Sequence, residues 1–273
     1  MTRDAGMTTV TSRSTFVLDQ RIRYDYSAPV HDLRQRLIVV PPRTHSNQRR
    51  HRWSMQVAGV DEARTQTRRD TFSNLVIDVR VPSIASWIEF AVEADISLEA
   101  DRPAVMVAAD RRYLEFTPLT APDPTLVALA AGVGDEPDPA VVCRAVHESL
   151  TYEWGITGIR TTAAEALAGG RGVCQDYAHI MLSVCRQVGI PARYVSGHLI
   201  GEGGSHAWVE VLRPISARRW MVEAWDPTHD ALVGDRHITI AVGRDYADVP
   251  MMSGSFDGSG TGTLTAHKRV LAA

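Results

Sequence analysis

Three short segments of this chain carry residue types that can do nucleophilic chemistry: GGRGVCQDYAH at 169–179, SHAWVEV at 205–211 and EAWDP at 223–227. Cys174 stands at the opening turn of a predicted helix, after a glycine-rich approach. The positive end of a helix favours an anion, hence a thiolate over a thiol. A helix end contributes at most ~2 kcal/mol, so a cation or hydrogen-bond donor must add to it. His206 is the natural candidate, 32 residues on, and Asp226, a further 20 residues on, could hold its imidazole in the required tautomer. Both fall at strand ends that an antiparallel pair could bring together. The chemistry would be attack of sulfur on a carbonyl carbon and an acyl-enzyme. The competing reading is a buried structural cysteine with two unrelated polar residues.

The neighbours of these residues divide by role. Gln175 is a candidate second oxyanion donor, behind the surer backbone N–H of Cys174. Asp176 is either an anchor for the nucleophile or a first-turn carboxylate favoured by the helix dipole. Tyr152 and Trp154 are candidates for a cleft wall or, for Tyr152, a second hydrogen-bond donor, with plain packing the competing and favoured role. Trp208 faces the same side of its strand as His206, where it either walls the substrate groove or simply packs, packing being slightly favoured. Cys185 lies eleven residues after Cys174, ~16 Å along a helix axis, too far for a disulfide. It and Cys143, in an apolar helical run, are core residues. Three cysteines without CxxC spacing exclude a disulfide framework. No metal site is expected, because Cys174, His206 and Asp226 lack paired short spacings, and DPTHDALVGDRH lacks the EF-hand pattern. No cofactor is expected either.

The elements that must position these residues fall into two sets. Period-two alternation in 15–26, 37–40, 53–60, 75–81 and 88–98, interrupted by Pro41-Pro42, Ser73-Asn74 and Pro82-Ser83, predicts an antiparallel β-sandwich. Helical signals follow. Asp138-Pro139 is an N-cap with proline at N1. Thr162 and Glu165 make a capping box closed by Gly169-Gly170. A third helix spans about 173–188, ended by Gly189 and Pro191. Strand patterns at 192–200, 206–212, 220–226 and 237–242 complete an α+β arrangement. The expected organisation is a disordered stretch at 1–14, a β domain at 15–100, a linker at 101–122, an α+β domain at 123–252, and a Gly/Ser-rich loop with a final strand at 253–273. The GxGxG-like run in that tail has no strand-to-helix setting and is a loop rather than a nucleotide site.

Composition bounds the rest. The chain has 273 residues, 44% hydrophobic and 22% charged, with a net charge of −3 and a mean hydropathy of −0.13. That describes a globular protein able to bury a core without staples. Net acidity argues against nucleic acid as a partner, and Arg49, Arg50 and Arg52 are read as a solvated strand face. No run approaches the ~20 apolar residues of a membrane span, so no membrane association is expected. The start lacks an apolar signal region, which makes cytoplasm the expected compartment.

The segments GRGVCQDYAH, GIPARYVSGH, SHAWVEV and WDPTHD resemble the bacterial transglutaminase-like superfamily of papain-type cysteine enzymes. RIRYDYSAPV, LRQRLIVVPP and DTFSNLVIDVRV are similar to the β domain that precedes the catalytic domain there. The resemblance runs from about residue 15 to 254, departing at His198, where relatives often carry an aromatic, and at EAWDP, where many have a plainer apolar run. It implies a papain-like catalytic domain with helices on an antiparallel sheet. It also implies Cys174 as nucleophile, His206 as general base then acid, and Asp226 as orienter. The implied partner is a protein or peptide substrate. Hydrolysis as a cysteine protease or amidase is the first expectation, transglutamination the second, and a non-catalytic peptide-binding module the third.

Overall fold

The computed structural model describes residues 13–99, 105–134, 137–201 and 204–273. The disorder expected of residues 1–14 falls, up to residue 12, outside them. Six long strands come first, β1 (Arg13–Tyr26), β2 (Val30–Leu37), β3 (Gln48–Ala58), β4 (Arg64–Arg69), β5 (Leu75–Ile84) and β6 (Trp87–Glu99), with a two-residue strand at Thr44–His45 paired to β3. Their alternating apolar positions lie on one face each and interdigitate between two antiparallel sheets. Ile22, Leu33, Leu37, Val79, Val81, Ile88 and Phe90 form that core, each at most 2% exposed. Burial of such a side chain stabilises by roughly 1.5–3 kcal/mol.

Two segments expected to be connections are structural. Residues 106–108 of the expected linker form β7 (Met106–Ala108), whose Val107 packs with Tyr113, Leu212 and Trp220; residues 100–104 lie outside the described set. At the other end, the expected Gly/Ser-rich loop contains a strand, β12 (Met252–Asp257), before the final strand β13 (Gly262–Ala272). The two sheets therefore run β13-β1-β6-β3 and β12-β2-β5-β4. Glycine at 254 is required by close approach rather than by flexibility. A Cβ there would fall 2.6 Å from Gln35 Oε1 and 2.7 Å from the Arg34 carbonyl oxygen.

Between β7 and β12 lie four helices and four long strands. The helices are α1 (Pro124–Gly132), α2 (Pro139–Ser149), α3 (Ala163–Gly169) and α4 (Cys174–Gln187). The Asp138 cap and the Thr162–Glu165 capping box form as expected, and Gly170 ends α3 at φ 63°. The strands are β8 (Ala192–Leu199), β9 (His206–Ser216), β10 (Arg219–Asp226) and β11 (His237–Gly243). They form a sheet ordered β10-β9-β8-β11, with β7 added on β10. Every residue of α4 from Asp176 to Arg186 is buried, and Ala207, Val209 and Val211 of β9 belong to the same core.

Strand β11 would leave a bare edge, and two side-chain amides close it. Gln48 donates to the Thr239 carbonyl at 3.0 Å and accepts from its N–H at 2.8 Å. Asn74 does the same at Val242, at 2.8 and 2.9 Å. Each amide imitates one residue of a pairing strand, which satisfies buried backbone groups and ties the sheet to the β-sandwich.

Candidate active site

The start of α4 is built around one buried carboxylate. Asp176 Oδ2 accepts from the backbone N–H of Val173 at 2.8 Å and from the Thr157 hydroxyl at 2.6 Å. It thus caps the turn that presents Cys174 and pins the 153–161 loop against it. Burial raises this carboxyl above the usual carboxylate range, against those two bonds. Gly172 makes the arrangement possible: a Cβ there would sit 2.7 Å from Asp176 Oδ2. Asp176 stands in the first turn of α4 at the N3 position, and its bond to Thr157 also ties the preceding loop to it. Cys174 itself is half-buried, its sulfur 4.0 Å from the Ser205 carbonyl oxygen.

The first residue of β9 meets the last residue of β10 directly in front of that sulfur. His206 Nε2 is 2.7 Å from Asp226 Oδ2, and Cys174 lies near enough to the imidazole to act on its charge. With Nε2 committed to Asp226, Nδ1 is the nitrogen left for the thiol. Burial alone would lower the His206 pKa. The hydrogen bonds and negative charge offered by Asp226 and Cys174 outweigh it and raise the value to about 10. Burial likewise pushes the Asp226 carboxyl up, but His206, His237 and His229 hold it well below the usual range. Such a site can hold an imidazolium between a sulfur and a carboxylate and move its proton on.

Residues 128–223 match the profile of the transglutaminase-like superfamily, and residues 17–97 match the bacterial transglutaminase-like N-terminal region. An uncharacterized protein of Mycobacterium leprae is 32% identical over 246 residues, covering 82% of this chain and 80% of its own length. The chain belongs to the bacterial transglutaminase-like superfamily. An uncharacterized Mycobacterium tuberculosis protein is 39% identical over 120 residues, 40% of this chain and 38% of its own length. Among solved structures, a Cytophaga hutchinsonii protein proposed to be a cysteine protease superposes with a TM-score of 0.67. That match has 20% identity and covers 96% of this chain and 91% of that one, and it shows the shared fold.

The other residues of this transglutaminase-like site settle differently from one another. Trp208 does not line a groove: it is 1% exposed, packed behind His206 with ring centroids 6.2 Å apart. The indole occupies space left by Gly197, where a Cβ would come within 2.3 Å of it. Gln175 turns its amide to the Gly158 carbonyl at 3.3 Å. Tyr152 pairs with Gly172 in a two-residue parallel ribbon beside the nucleophile turn. Tyr152 and Trp154 are 52% and 84% exposed and stand with Ile156 and Ile159 as an apolar lip. Cys143 and Cys185 are fully buried, and burial raises both thiols to about 12. His179 and His198 are core residues too, lowered by burial to about 3.

Two site residues escaped the sequence reading. His229 Nδ1 lies 2.8 Å and His237 Nε2 3.2 Å from the same Asp226 oxygen that holds His206. The Asp226-x-x-His229 spacing was the available signal, since a tight turn, fixed by the Thr228 N–H to Asp226 Oδ1 at 3.0 Å, folds His229 back.

Proposed function

We propose that this chain is a cysteine-dependent hydrolase of peptide bonds or glutamine side-chain amides. Cys174 is the nucleophile, His206 the general base and then acid, and Asp226 the residue that orients it. The observation that carries the reading is His206 with Nε2 on the Asp226 carboxylate, next to Ser205, whose carbonyl oxygen is 4.0 Å from the Cys174 sulfur. In the reaction the sulfur attacks the carbonyl carbon, forming a C–S bond. The oxyanion is met by the backbone N–H of Cys174, which has no intrahelical acceptor. His206 gives its proton to the departing amine, leaving a thioester. It then takes a proton from water, whose oxygen attacks that thioester, and the acid leaves as the thiolate is restored.

Water, at about 55 M, loses to a millimolar amine only where a site binds and orients the amine; positioning of that kind reaches effective molarities of ~10⁵ M. Such a site calls for a closed, aromatic-walled channel. Here Trp208 is buried and the Tyr152–Trp154 lip is open, which supports hydrolysis on an extended polypeptide.

The test is to incubate the enzyme with a glutamine-containing protein and a few millimolar labelled primary amine, with Cys174→Ala as control. Cleavage or deamidation with little label incorporated is expected, and it disappears in the variant. Incorporation exceeding hydrolysis establishes a transglutaminase instead. Substrate retention without turnover or a Cys174 adduct establishes a binding module.

A further inference from the structure

The crowding around Asp226 exceeds what orienting one imidazole requires. Three nitrogens, His206 Nε2, His229 Nδ1 and His237 Nε2, stand 2.7, 2.8 and 3.2 Å from a single carboxylate oxygen. One of those bonds fixes the His206 tautomer; the other two do nothing for that task. Donor atoms of His206, Asp226 and His229 all lie within 4.8 Å of one another. Two imidazole nitrogens and one carboxylate oxygen are a donor set that divalent transition metals take, with a further position left to water.

We infer that His206, Asp226 and His229 form a binding site for a zinc-class divalent ion on the face of His206 turned away from Cys174. A tetrahedral zinc with ligands at ~2.0–2.2 Å spaces its donor atoms about 3.3 Å apart, so the two nitrogens, now 2.7 and 2.8 Å from the Asp226 oxygen, back away from it by about half an ångström while all three donors stay within the 4.8 Å that already encloses them. Of the three, His229 is the one that reaches solvent: its side chain is 45% exposed on a turn, whereas those of His206 and Asp226 are 3% and 1% exposed. That exposure also gives an ion its path from solvent. His237, 10% exposed, keeps its bond to Asp226 and holds the carboxylate in place, as supporting residues do in metal sites. The ring of Trp208 packs edge-on against His237, 5.2 Å between centroids. Two imidazole nitrogens and a carboxylate are the mixed N/O set that four-coordinate zinc takes.

Binding forms three coordinate bonds from Nε2, Nδ1 and a carboxylate oxygen. It releases to solvent the proton that bridged His206 Nε2 to Asp226, and the proton that His229 Nδ1 donates to the same carboxylate moves to His229 Nε2 as that imidazole changes tautomer. Resting on the function proposed above, occupancy and turnover therefore exclude each other, and zinc acts as a reversible off-switch. A rival location is the thiol side, between Cys174 and His206.

The test uses the full chain, Zn²⁺ by calorimetry and Co²⁺ as an optical probe, in wild type, Cys174→Ser, His229→Ala and His229→Gln. One equivalent is expected in wild type and in Cys174→Ser with equal affinity. The Co²⁺ complex should show four-coordinate visible bands and no thiolate charge-transfer band. Both His229 variants, altered at an exposed turn, should bind at least about tenfold more weakly. A thiolate band, loss of binding in Cys174→Ser, or unchanged binding in the His229 variants overturns the site. Zinc that binds as expected without slowing turnover overturns the switch. If Cys174→Ser binds zinc but wild type shows no thiol-dependent turnover, the proposed function fails while the metal site stands.

Discussion

Two buried carboxylates on neighbouring strands, Glu210 of β9 and Asp226 at the end of β10, solve the same packing problem in opposite ways. Each is 1% exposed and each must be paired to stay ionised. Glu210 is gripped by Arg193 at 2.6 Å and by His45 at 2.6 Å. Burial pushes its carboxyl up, and those two partners more than offset that, holding it at about 2. The side chains that meet the Asp226 carboxylate are three imidazoles, beside one backbone N–H from Thr228. A guanidinium does not give up its proton in the working pH range, so Arg193 and Glu210 form a fixed joint between β8 and β9, to which His45 of the β-sandwich adds a second contact. An imidazole does exchange its proton, so the second cluster can pass one on. The partner, rather than the carboxylate, divides structure from chemistry here.

The largest expected separation is in turnover. His206→Ala should lower it by a factor on the order of 10⁴ or more, and Asp226→Asn by on the order of 10² to 10⁴, with both proteins folded. Glu210→Gln should leave turnover of the folded protein unchanged. It strands Arg193, which is 7% exposed, and should cost about 3–5 kcal/mol of stability. Chemical denaturation with parallel rate measurements checks both. Comparable loss of turnover in Glu210→Gln would break the comparison.

A smaller effect lies in the pH dependence of stability, and it separates the two sites by sign. The His206 pKa is raised, so its contribution is full below the unfolded value of ~6.5 and is lost as pH rises through about 10. Glu210 is lowered, so its contribution is present above ~4.3 and is lost as pH falls through about 2. His206→Gln should flatten the alkaline limb of unfolding free energy against pH and spare the acid limb, and Glu210→Gln should do the reverse. An alkaline limb that survives His206→Gln would place its origin elsewhere.

Much of the site was legible because its signals are local or come in motifs. The Thr162–Glu165 box and the glycine-rich run before Cys174 each act within a few residues, and His206 and Asp226 sit in recognisable segments. What escaped was set by distant contacts. Nothing near Gln48 or Asn74 tells that each will close the edge of β11. Helix α1 carries an Asp123-Pro124 start like that of α2, but its apolar run has no polar face to reveal a period. The burial of Trp208 depends on a glycine on the neighbouring strand, and alternation along β9 gives the side of a residue without saying what covers it. The gathering of His229 and His237 on Asp226 needs a turn and a separate strand.

The central claim is that His206 and Asp226 act on Cys174, and exposure alone cannot test it, because Cys143 and Cys185 are buried and would lag in any case. The direct measurement is the rate of Cys174 alkylation by iodoacetamide at pH 6.5, followed by peptide mapping, in wild type, His206→Ala and Asp226→Asn. A nucleophile served by this imidazole should react on the order of tenfold or more slower once His206 is removed, and by a smaller factor in Asp226→Asn. Equal rates in all three proteins would contradict the account and leave Cys174 as an exposed thiol near two unrelated polar residues.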